Sequence, residues 1–85
     1  MGKYDPLTAF VRRQPAKEVR LSFEDIMDED KIGIDLPRSA REYREWWANE
    51  SSPGTRHTQC LAWRRAGWHV KRVGPVRELV IFERD

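Results

Sequence analysis

With 85 residues and four tryptophans, the chain suits one domain, 1–85, with a small compact core, and is too short to favour a deep substrate cleft. Charged residues make up 35% of it, but apolar residues cluster in periodic segments, which argues against disorder. The single cysteine, Cys60, excludes an internal disulfide, and the lack of an apolar leader or a membrane-length run makes a cytoplasmic setting the expectation, with no membrane partner.

The net charge of +2 is uneven. Residues 1–50 hold 9 Lys+Arg against 11 Asp+Glu, whereas residues 51–85 hold 7 against 3. That basic excess is compatible with an anionic partner for the C-terminal part.

In chain order, Asp5-Pro6 is a good helix start, because Asp can cap free backbone N–H groups and Pro is tolerated in the first turn. Leu7, Phe10 and Val11 at i, i+3 and i+4 put an apolar face on a helix to about Arg13, which Pro15 ends. Val19-Arg20-Leu21 alternates and suits a short strand. Ser22-Phe23-Glu24-Asp25 spells a capping box with Asp in place of Glu or Gln, opening a helix that buries Phe23, Ile26 and Met27, with Gly33 as a plausible stop. Pro37 starts a third helix to about Asn49, and the Asn, Ser, Pro and Gly content of 49–54 marks a loop.

The last helix is expected over Arg56 to Ala66, closed by Gly67, with strands near Trp68–Val73 and Glu78–Glu83 joined at Gly74-Pro75. Val70 and Val73 break strict alternation, which calls for a bulge or an early strand end. The run Leu79-Val80-Ile81-Phe82 suits a strand covered on both faces. The resulting class is α+β: a small winged-helix-like domain ordered helix-strand-helix-helix-helix-strand-strand with a C-terminal β-hairpin.

A winged helix presents its last helix and hairpin to DNA, which singles out Arg56, Arg64, Arg65, Lys71 and Arg72 for phosphate, and Thr58 and Gln59 for base edges. Arg38, Arg41 and Arg44 fall at i, i+3 and i+6 beside Ala40, Tyr43 and Trp47, so a basic face next to buried aromatics could lie along a phosphate backbone. The plainer account pairs Arg38 with Glu42 and Arg41 with Glu45 as a solvated surface. Trp46 and Trp47, being adjacent, cannot both centre one stripe; one belongs to the core and the other to its edge or a contact surface. Trp63 and Trp68 fit between the last helix and the hairpin. Asn49 and His57 flank the 49–55 loop as hydrogen-bonding groups for that loop or for a ligand.

One Cys and two His, with no paired motif, do not make a zinc site, and Cys60 reads as a small buried hydrophobe. The acidic group from Glu24 to Asp35 lacks the ordered ligands of a calcium loop. With no nucleophile motif and no phosphate-cradling loop, neither an enzyme nor a cofactor is expected.

Tyr4-Asp5-Pro6-Leu7, Leu21-Ser22-Phe23-Glu24, Leu36-Pro37, Trp46-Trp47-Ala48-Asn49 and Ala66-Gly67-Trp68 together resemble a family of small bacterial domains of unknown function. The resemblance covers nearly the whole chain and implies a bacterial or phage origin and a compact, stand-alone domain. It implies no reaction. That family tends to carry Ser-His ahead of the last helix, where this chain has Arg56-His57.

Two functions follow as expectations. One is a DNA-binding regulator or reader domain that contacts duplex DNA through its last helix and hairpin. The other is a protein-interaction module, such as a phage-encoded or defence-associated inhibitor, anchored by exposed tryptophan and arginine.

Overall fold

The computed structural model describes residues 3–48, 58–74 and 77–85. Its first helix, α1, is Asp5–Arg12, with Leu7 and Val11 buried and Phe10 packed beside them. Tyr4, not Asp5, is its capping position; Asp5 instead places negative charge in the first turn, where the helix dipole favours it.

Strand β1, Glu18–Ser22, runs directly into α2, Phe23–Met27. The capping box expected at this junction forms: Ser22 Oγ accepts from the Asp25 N–H at 3.0 Å, and Asp25 Oδ2 accepts from the Ser22 N–H at 3.2 Å. With two orphan donors satisfied, the strand turns into a helix with no linker. α2 ends at Met27, well before Gly33. Gly33, at φ +81°, serves the connection, after which the Ile34 N–H returns to the Ile26 carbonyl at 2.9 Å. Ile32, Ile34 and Leu36 are buried, so this irregular segment is part of the core.

The third helix departs from expectation. α3 covers only Arg38–Glu42; Tyr43 is extended (φ −120°, ψ 125°), and a separate 3-10 turn spans Arg44–Trp47. The break re-aims the tryptophan pair. Trp47 goes fully inside, where its Nε1–H donates to the Ala40 carbonyl at 2.8 Å. Trp46 stays half-buried, edge-on to both Tyr4 and Trp47. Continuing the helix would leave the rings about 100° apart on one axis, unable to reach both positions.

The expected start of the last helix, Arg56, lies outside the described residues; within them a 3-10 turn over Thr58–Cys60 leads into α4, Leu61–Arg64, which stops short of Ala66. Gly67, at φ +81°, closes the segment and turns the chain into β2, Trp68–Gly74, followed by β3, Leu79–Arg84. The hairpin belongs to a three-stranded antiparallel sheet ordered β1-β3-β2. β3 is therefore the central strand, which explains its continuous apolar run: Val80 and Phe82 are buried while Leu79 and Ile81 are half-covered.

A register shift between Val70 and Arg72 supplies the expected bulge. With one extra residue there, Val70 and Val73 both face the core despite their odd spacing, and Lys71 and Arg72 are both exposed. Between sheet and helices lies an aromatic cluster: Trp47 stacks on Phe23 (5.6 Å between centroids) and Trp63 (5.9 Å), and Phe82 meets both tryptophans. The four helices and the sheet share this one core.

Candidate nucleic-acid interface

Of the residues expected to contact DNA, Asn49, Arg56 and His57 lie outside the described residues, as does the side chain of Thr58. Gln59 corrects the reading from sequence. It is only 7% exposed, and its Nε2–H donates to the Trp46 carbonyl at 2.9 Å, tying the turn before α4 to the turn after α3. A base edge cannot reach a side chain held in that way. Arg64 is a second correction: one Nη1 donates to the Trp68 carbonyl at 3.1 Å and to both oxygens of Asp85 at 3.0 and 3.1 Å. It clamps the end of α4 to the ends of β2 and β3.

Asp85 also meets His69, whose Nδ1 lies 2.7 Å away, and Glu83 stands 3.2 Å from His69 Nε2. The hydrogen bond from His69, then Arg64, holds the Asp85 carboxyl below the usual carboxylate range. Lys71 continues this network on the outer face of the sheet, 2.9 Å from Glu18 and 3.4 Å from Glu83. Its ammonium is pushed above its ordinary value by those carboxylates, Glu18 first, and Glu18 is pushed below its own by Lys71. Of the cations in 51–85, Arg64 and Lys71 are thus held in ion pairs, and Glu18 is the partner that comes from outside that segment.

What remains lies elsewhere. Arg41, Arg44, Arg65 and Arg72 are exposed and form no ion pair among the described residues, while Arg38 is held by Glu42 at 2.7 Å. The i, i+4 pairing expected on α3 is thus made by Arg38 and not by Arg41. Because Tyr43 breaks the helix, Arg44 leaves the Arg38–Arg41 row and swings toward β2. There Arg44, Lys71 and Arg72 rim an open concavity of about 360 Å³ with Trp47, Val70 and Val73 lining it; Glu45 is its one carboxylate. Arg65 lies apart, in a groove between α1 and α4 that it shares with Lys3, Arg12 and Asp5.

Tyr43 was expected on the buried aromatic face with Ala40 and Trp47, yet it is 58% exposed and is the one exposed large hydrophobic among the described residues. Nothing in the i, i+3, i+7 spacing of Ala40, Tyr43 and Trp47 foretold this, since the extended residue that ends α3 is Tyr43 itself. Trp46, offered as a contact residue, is spent largely on Tyr4 and Trp47. Among the described residues, no three His, Cys, Asp or Glu side chains gather in a way that could hold a metal ion, and no helix is long and apolar enough to cross a membrane.

Among the described residues, four short α-helices folded over a three-stranded antiparallel sheet, with a basic concavity where the helical corner meets the edge strand, define a small α+β domain. The chain belongs to the family described as Domain of unknown function (DUF7662), whose model matches residues 4–85. Neither a curated protein nor a solved structure matches it.

Proposed function

We propose that the domain binds DNA as a winged-helix-like protein, a small regulator or reader. The order of helix, strand, helices and hairpin, with β1 laid on the central strand of the hairpin sheet, supports the winged-helix reading. The observation that carries the DNA reading is the concavity at the corner after α3, between the Arg44–Trp47 turn and β2, where Arg44 and Arg72 converge and neither forms an ion pair among the described residues. Arg41 and Arg65 extend the phosphate-contacting set; Lys71 joins it only by loosening its hold on Glu18 and Glu83. Gln59 and Arg64 act by holding the scaffold.

Binding of this kind weakens steeply as salt rises, because phosphate neutralisation releases counterions. Titrating fluorescent duplex DNA at two salt concentrations should show that dependence. Replacing Arg44 and Arg72 together with Ala should weaken all duplex sequences alike and lower the salt slope by about one unit per lost contact. Absence of duplex binding at low salt would remove the proposal.

The alternative, a tryptophan-anchored protein interface, has less to stand on: Trp47, Trp63 and Trp68 are buried and Trp46 is half-covered. Hot-spot anchors must be exposed before the partner arrives.

A further inference from the structure

Resting on the DNA reading, we infer that the corner between the Arg44–Trp47 turn and β2 takes an unpaired base, so that single-stranded DNA is its preferred form of ligand. The observations are the shape of the site and the company of its arginines. Phosphates alone need only a convex or grooved basic surface, yet Arg44 and Arg72 line a concavity together with Glu45 and with the largely buried Trp47, Val70 and Val73. At about 360 Å³ it lies at the small end of ligand pockets, which run from about 300 to 1,000 Å³, and so has room for a flat ring. In a duplex the base faces are stacked and paired, so a duplex meets the concavity through its phosphates; an unpaired base has a free π-face that can enter it as well.

Tyr43 supplies the second observation. It is exposed between Arg41 and Arg44 because the chain is extended at that residue, a conformation that turns it out of the helical row and away from the core it was expected to join. An exposed aromatic with arginines close to it in sequence, here Arg41 and Arg44 with Glu42 held by Arg38, is a platform on which single-stranded nucleic acid stacks. One base sits in the concavity, the adjoining base stacks on Tyr43, and Arg44 holds the phosphate between them.

The test is fluorescence anisotropy with oligothymidine, duplex DNA and oligouridine of equal length, using the full chain and the variants Tyr43→Ala, Tyr43→Phe and Tyr43→Leu. Oligothymidine should bind more tightly than duplex or oligouridine. Tyr43→Ala and Tyr43→Leu should weaken oligothymidine by about tenfold or more, leaving duplex binding nearly unchanged, while Tyr43→Phe retains the affinity. Circular dichroism checks that the exposed substitutions leave the fold intact. Duplex preferred over oligothymidine, or oligothymidine binding indifferent to Tyr43→Ala, overturns the single-strand assignment and leaves the DNA reading standing. Tighter binding of oligouridine overturns the assignment to DNA. No duplex binding by the wild-type chain at low salt defeats the DNA reading of the previous subsection, and no oligothymidine binding defeats the single-strand assignment.

Discussion

Gln59 and Arg65 are both polar, both near the last helix and both plausible DNA contacts from their types, yet their surroundings give them opposite roles. Gln59 is enclosed and satisfies the Trp46 carbonyl, so removing its amide leaves a polar group of the 44–47 turn without that partner. Gln59→Ala is expected to cost about 1–3 kcal/mol of folding stability. Arg65 is exposed with no ion pair among the described residues, and Arg65→Ala should stay within about 0.5 kcal/mol of the wild type. Urea denaturation of the two variants decides between these roles; equal midpoints would mean that the Gln59 bond contributes nothing. Trp47 shows the same enclosure on a larger scale: its ring links Phe23, Trp63 and Phe82, and its one polar atom is satisfied by Ala40.

Among the elements, the β1–α2 junction is the most strongly specified locally. Both bonds of the capping box lie within four consecutive residues, so the strand-to-helix turn needs no tertiary contact to choose its place. Ser22→Ala should therefore destabilise the domain by about 0.5–2 kcal/mol, read from thermal unfolding, while Ser22→Asp, which keeps a capping oxygen, should recover most of the loss. An Ala variant as stable as the wild type would show that the packing of Phe23 and Ile26 alone sets this helix. The third helix behaves in the opposite way. Its periodic pattern runs past Tyr43, but the chain is extended at that residue and one separate 3-10 turn carries Trp47 into the core and Trp46 to its edge, so packing overrides the local preference.

Across the whole molecule, ion pairs join elements distant in sequence, Lys71 to Glu18 and Arg64 to Asp85, and a shorter-range pair links Lys31 to Asp25 six residues before it. Asp25, held low first by Lys31 and then by the Ser22 N–H, and Glu18 and Asp85, held low by Lys71 and His69, all titrate below their unfolded values. Their contribution to stability is therefore complete above the ordinary carboxylate range, at about pH 4, and is lost as pH falls through the lower folded values. Lys31 and Lys71, raised by the same pairs, contribute below about pH 10.4 and lose that contribution as pH rises through their higher folded values. Replacing Lys31 with Met should make the fall in urea midpoint between about pH 7 and pH 3 shallower, since Asp25 loses its main reason to stay ionised. An unchanged acid slope would count against the pairing. Because these groups are exposed, high salt should flatten the profile as well.

The starts of the first two helices, the capping box, a bulge or early strand end in β2 and the hairpin were legible from sequence because each rests on a few neighbouring residues: Pro6, Ser22 with Asp25, the spacing of Val70 and Val73, and Gly67 before Trp68. So was the apolar character of β3. Tertiary structure alone decided that β1 joins the sheet beside β3, that Gln59 and Arg64 turn inward to hold backbone carbonyls, and that Tyr43 is left outside. It also decided which charges remain for a ligand: Lys71 and Arg64 meet carboxylates 53 and 21 residues away, whereas Arg44 and Arg72 meet none among the described residues. The physical reason is the range of the interactions. A cap or a bulge is settled by atoms within a few residues, but the availability of a charge or a ring depends on what the folded chain brings beside it.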